Sequence, residues 1–232
     1  MEDCCCYASW IKILEGEKNL NSTFENISED KRQKIIAACL EEFASKGYKN
    51  ASTNSMVINA QISKGLLFHY FGNKKNLYLY LLDLSMECFI AKFYSYTEKP
   101  NSDIFDRVMQ RGIIKMKLAI EEPLMYKLVL EAFVDIPQEL EEEITKRFKK
   151  LYSEHMPIAF EDVDYSLFRD DIDTKKAMEF MVLCFDALYF KYTKQFKGKA
   201  LNISDEEIDN MVNEYYEFMD MIKFGVYKKN EV

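Results

Sequence analysis

Three helix-start signals lie close together in the sequence: Thr53-Asn54, Ser63-Lys64-Gly65 and Asn73-Lys74-Lys75. Each begins with a short polar side chain of the kind that caps free backbone N–H groups. Those N–H groups, with the positive end of the helix dipole, attract phosphate oxygens, and lysines beside them add point charges. Gly65 puts a small residue near the start of the middle helix, where a backbone can approach a partner closely. Such a set can grip a sugar-phosphate backbone from several sides. Lys64, Leu66 and Phe68 are then left to read base edges between the grips.

The elements needed to hold these residues are legible in the hydrophobic spacing. Ser28 caps a first helix over about 29–46, with Ile36, Cys39, Leu40 and Phe43 on one face and Lys46-Gly47 as its end. Thr53 caps a second, short helix carrying Met56, Val57 and Ala60 inward; Gln61-Ile62 turns the chain; Ser63 caps a third helix over 64–71. Leu67 and Phe71, four apart, bury toward Phe43 and Met56. After Gly72, Asn73 caps a long helix to about residue 96, striped by Leu77, Leu81, Leu84, Cys88 and Ala91. Its length is about 36 Å at ~1.5 Å per residue. Further helices are expected at about 103–120, 122–134, 137–156, 173–195 and 205–226, with Pro123 and Pro137 in first turns and an acidic loop over 161–173. Residues 1–27 form a poorly ordered extension, 28–75 a helix-turn-helix DNA-binding domain, and 76–232 a helical domain.

Composition narrows the class. With 7 Gly, 4 Pro and 48% apolar residues in 232, the fold class is all-α. No apolar run is long enough to span a membrane, and the acidic start does not resemble a signal peptide, so a soluble, cytoplasmic protein without membrane partners is expected. The chain carries a net charge of −8, yet the segment from Ser28 to Leu77 holds eight Lys/Arg against four Asp/Glu. One basic segment therefore sits in an acidic protein, and screening over ~10 Å makes the local balance the relevant one. Catalysis finds little support. His69 and His155 are the only histidines, and a glycine-rich phosphate loop, a nucleophile elbow and a spaced Cys/His cluster are all lacking. No catalytic residue, metal or cofactor is expected. Cys39, Cys88 and Cys184 read as core residues, and Cys4, Cys5 and Cys6 as part of the extension.

Ser-Lys-Gly-Leu-Leu-Phe-His-Tyr-Phe-Gly-Asn-Lys-Lys-Asn-Leu, preceded by Thr53 and Ala60, resembles the helix-turn-helix signature of the TetR family of bacterial transcriptional regulators, over about residues 29–84. The resemblance implies a three-helix DNA-binding domain joined by a long helix to a ligand-binding and dimerisation domain. It also implies a homodimer on a double-stranded DNA operator, usually a repressor, released by a small-molecule effector. The family's DNA-facing positions fall here on Thr53, Asn54, Lys64, Gly65, Leu66, Phe68, His69, Tyr70 and Lys74. Three residues depart from the family pattern: Gln61 for the turn glycine, Leu66 for threonine and Phe68 for tyrosine.

The remaining helices supply a cavity and an interface. Met109, Met116, Met125, Tyr126, Phe133, Met178, Phe185 and Tyr189 form a polarisable set suited to an apolar or aromatic ligand, or to an ordinary helical core. Asp186 is the candidate polar anchor. Ala177, Met181, Cys184 and Leu188, with Ile208, Met211, Tyr215, Phe218, Met219 and Ile222, mark two helices apolar enough to be covered on several sides, as in a four-helix dimer bundle. The alternative is a helical sensing or interaction module that binds no operator.

Overall fold

The computed structural model describes residues 22–97, 102–155, 161–196 and 205–227. In chain order the helices are α1 (Ser22–Glu25), α2 (Glu29–Asn50), α3 (Thr53–Asn59), α4 (Lys64–Phe71), α5 (Lys74–Tyr96), α6 (Ile104–Glu121), α7 (Pro123–Val134), α8 (Glu141–His155), α9 (Thr174–Phe196) and α10 (Asp205–Val226). Short 3-10 turns occupy Gln138–Leu140 and Tyr165–Leu167. The all-α class is as the sequence implies. Among the described residues extended pairing is limited to one isolated bridge, Phe168 with Tyr227. Cys4, Cys5 and Cys6 lie outside the described residues.

The chain divides into two compact units, Met1–Lys92 with Leu124–Ile144, and Phe93–Pro123 with Thr145–Val232. In the first, Ile35, Cys39 and Phe43 of α2, Met56 of α3, Leu67 of α4, and Leu77, Leu81 and Leu82 of α5 are almost wholly buried. These are the i, i+3, i+4 positions that an amphipathic helix turns inward. Phe24 of α1 is buried too, its ring 5.1 Å from Tyr70, 4.8 Å from Phe71 and 5.8 Å from Tyr80. Met125, Leu128, Ala132, Leu140 and Ile144 bury within this same unit, and Tyr126 meets Phe89 of α5 at 6.1 Å.

Local geometry corrects several boundaries. Gly47 breaks α2 with φ 70° and ψ 168°, a conformation nearly confined to glycine, and one more turn continues to Asn50. Ser28 stands at the α2 start without a side-chain cap bond. Ser52 rather than Thr53 caps α3, its hydroxyl accepting from Ser55 N–H at 3.4 Å. Pro137 precedes a 3-10 turn, and α8 proper begins at Glu141.

The second unit has its own core: Ile104 and Phe105 of α6, Val163 and Phe168 of the acidic segment, Ala177, Met181 and Leu188 of α9, and Met219, Ile222 and Val226 of α10. Asp103 ties this core to the end of α10. It caps α6 through Phe105 N–H at 2.8 Å and accepts from Tyr227 Oη at 2.9 Å and Lys223 Nζ at 3.1 Å. Burial alone would raise the Asp103 carboxyl; these donors more than offset it and hold it below the usual carboxylate value.

Candidate nucleic-acid interface

Glu42 fixes the first of the three helix starts. Its carboxylate, 5% exposed, accepts from Ser52 N–H at 2.8 Å and from Lys46 Nζ at 2.8 Å. Burial raises this acid, but the two donors lower it further, so it stays ionised and clamps α2 to the start of α3. Sequence reading missed this residue; its one signal is Lys46 standing one helical turn later. At the second start Ser63 Oγ accepts from Leu66 N–H at 3.1 Å, and at the third Asn73 Oδ1 accepts from Asn76 N–H at 2.8 Å. Between α3 and α4 the turn places Gln61 at φ 55°, the left-handed region.

The expected DNA-facing residues divide by exposure. Asn54, Lys64, Gly65 and His69 are exposed; Thr53, Leu66 and Phe68 are half-buried. Lys64 and Phe68 share one face of α4, with Nζ 5.9 Å from the ring centroid. Among the described residues nothing requires glycine at position 65, where an added Cβ would meet only Ser63 Oγ at 4.0 Å. Tyr70 turns inward, 6% exposed, against Phe24. Lys74 folds back on its own chain: Nζ donates to Lys49 O at 3.2 Å and lies 5.0 Å from the Tyr48 ring.

Acidic residues from the far part of the same unit reach this basic edge. Glu143 forms an ion pair with Lys75, and the Glu139 carboxylate acts on the Tyr48 phenol. Burial, then Glu139, pushes the Tyr48 phenol up; burial lowers Lys74, while Glu139 and Glu42 act the other way. Tyr48 lies too far in sequence from Glu139 and Glu143 for spacing to have joined them.

The remaining candidates are distributed as follows. Met125, Tyr126 and Phe133 belong to the first unit and Met109, Met178 and Phe185 to the second. Met125 is buried and Phe133 is 42% exposed, while Met109, Met178 and Phe185 pack against the second unit's core. The side chains of Met116, Tyr189, Asp186 and Ile208 lie outside the described residues. Ala177, Met181, Leu188, Met219 and Ile222 are core residues of a single chain, with Cys184, Met211, Tyr215 and Phe218 packed on them. The opposite sides of α9 and α10 expose Phe180, Leu183, Tyr216, Met221 and Phe224. Among the described residues no helix is long and apolar enough to cross a membrane, and no cluster of metal-ligating side chains occurs.

Residues 35–81 match the sequence model of a family described as bacterial regulatory proteins, tetR family. Among solved structures, the fold is similar to a TetR family transcriptional regulator from Chloroflexus aurantiacus J-10-FL, 22% identical, with 90% of this chain and 99% of that chain covered at a TM-score of 0.60. It is also similar to the fatty acid degradation regulator FadR from Bacillus halodurans (16% identity, 82% and 97% coverage, TM-score 0.57). A third likeness is to AibR, solved in complex with isovaleryl coenzyme A and operator DNA (19% identity, 79% and 97% coverage, TM-score 0.57). No curated protein matches the chain.

Proposed function

From the premise that residues 35–81 are a tetR-family segment carried on the helical fold of solved TetR-family regulators, we propose that the protein is a ligand-responsive, sequence-specific DNA-binding transcriptional regulator. In this reading it is a repressor that acts as a homodimer on a palindromic operator and leaves it when a small apolar or aromatic molecule binds the second unit. The observation that carries the reading is the outer face of α4: a capped start at Ser63, an exposed Lys64, and a glycine at 65 that the chain's own packing does not call for. A helix whose first turn is this bare lets its N-terminus approach a groove closely.

Pairing of two copies falls to the exposed apolar side of α9 and α10, Phe180, Leu183, Met221 and Phe224, because the inward stripe on those helices is already occupied. Half-sites on one DNA face lie about 34–36 Å apart. A continuous α5 of 23 residues can carry a ligand-induced tilt to the reading helices.

The test is a gel shift on DNA flanking the gene, with Lys64→Ala and Gly65→Ala. Gly65→Ala leaves thermal stability unchanged or raises it by up to about 1 kcal/mol, yet weakens operator binding through close approach. Full binding by both variants, or no binding by the wild type at low salt, would favour an interaction module without an operator.

A further inference from the structure

The start of α5 offers two lysines to a phosphate, and in the free chain both are engaged by groups of the same unit. Lys75 pairs with Glu143. Lys74 Nζ donates to Lys49 O at 3.2 Å and lies 5.0 Å from the centroid of the Tyr48 ring. That ring is itself fixed, 5.0 Å from Tyr78 and 6.3 Å from Phe43, both buried. Glu139 acts on the Tyr48 phenol and on Lys74.

The acids are held in place by packing. From Gln138 to Ile144 the sequence holds four glutamates and no lysine or arginine. Leu140 and Ile144, one helical turn apart, are wholly buried in this unit. Burial of that pair sets the register, so Glu139 and Glu143, each one residue earlier, share a flank, and both act on Tyr48. A carboxylate oxygen offers a lysine the same kind of charged acceptor as a phosphate oxygen. Glu143 and a DNA backbone would therefore compete for one ammonium group. The side chains of the pair are 39% exposed for Lys75 and 35% for Glu143, which makes the contact weak and readily exchanged.

We infer that Glu143, with Glu139 beside it, is a built-in stand-in for DNA phosphate: it occupies Lys75 in the free chain, and duplex DNA must displace it to gain that contact. The contact is autoinhibitory and lowers affinity for a phosphate backbone whatever the base sequence. The inference rests on the reading of the first unit as the DNA-binding part, and it adds Lys75 to that unit's phosphate contacts.

The test uses the full chain and a labelled duplex of arbitrary sequence at low salt, because phosphate contacts need no operator. Fluorescence anisotropy follows wild type, Glu143→Gln, Lys75→Ala and the two combined, with thermal melts to show that each variant folds. Glu143→Gln binds about two- to fivefold tighter than wild type, as expected for a partly exposed pair. In the Lys75→Ala background the same change gives no gain. Glu142→Gln removes an equal charge from the neighbouring, exposed position and gauges what net charge alone contributes; its gain is smaller. A gain from Glu143→Gln that persists without Lys75, or that Glu142→Gln matches, overturns the inference, as does unchanged affinity in Glu143→Gln. Wild-type binding without the gain leaves the regulator reading standing, whereas no binding by any variant at low salt removes that reading and this one together.

Discussion

Gln61 holds a backbone conformation that its side chain disfavours, and replacing it with glycine isolates that cost. At φ 55° it is left-handed; an L-residue there pays about 1–2 kcal/mol from the contact of Cβ with its own carbonyl. Its side chain is exposed, so no core packing is lost on removal. Glycine escapes the Cβ cost but loses more chain entropy on folding, about 0.5–1 kcal/mol. The difference predicts that Gln61→Gly stabilises the first unit by about 0.5–1 kcal/mol. In urea unfolding followed by circular dichroism, the midpoint rises by roughly 0.2–0.5 M with the slope unchanged. Gln61→Ala keeps the Cβ and therefore gives no such gain. If alanine stabilises as much as glycine, or glycine lowers the midpoint, the strain assigned to this turn is absent.

Gly47→Ala costs about 1–3 kcal/mol in the same assay, all of it from the backbone, because an added Cβ there meets no atom within 4 Å. Lys64→Ala lowers the slope of log affinity against log salt by about one if its contact is a phosphate; a salt titration on the operator measures it. Glu143→Gln releases Lys75 and raises operator affinity about two- to fivefold at low salt, the size of a partly exposed ion pair, and the gain vanishes in high salt. Asp103 is held below its ordinary value, 3.8, so its contribution to stability is fully present above about pH 4 and is lost as pH falls through the lower folded value. Asp103→Asn removes that part of the acid dependence in melts between pH 2 and 6, whereas an unchanged profile would show that Lys223 and Tyr227 do not hold the ionised form.

Hydrophobic period made the helices legible: the stripes of α2 and α5 and the burial of Leu67 and Phe71 needed only spacing, whereas the ring of Phe24 that meets Phe71 comes from outside the expected domain. Caps were legible in part: Ser63 and Asn73 cap where expected, Ser52 takes the place expected of Thr53 because serine and threonine offer the same acceptor, and Ser28 makes no side-chain cap bond. Tertiary ties were not. Glu42 reaches Ser52 across a turn, and Glu143 reaches Lys75 from 68 positions away in sequence, distances over which periodicity carries no information. Face assignment on α9 and α10 was ambiguous for a different reason. Both sides of those helices are apolar, so composition names the helices but cannot say which stripe meets its own chain.

The first unit is assembled from two separated pieces of sequence, and that sets an order on its birth. A nascent chain that has reached Lys92 holds every residue proposed to read DNA, but not Met125, Leu128, Leu140 and Ile144, which bury in the same unit. At ~5–20 residues per second, residues 93–144 follow only after roughly 3–10 s. Until then α5 leaves the ribosome with an uncovered flank. A fragment cut at residue 92 is accordingly a poor stand-in for a free DNA-binding domain, and truncations should extend past Ile144.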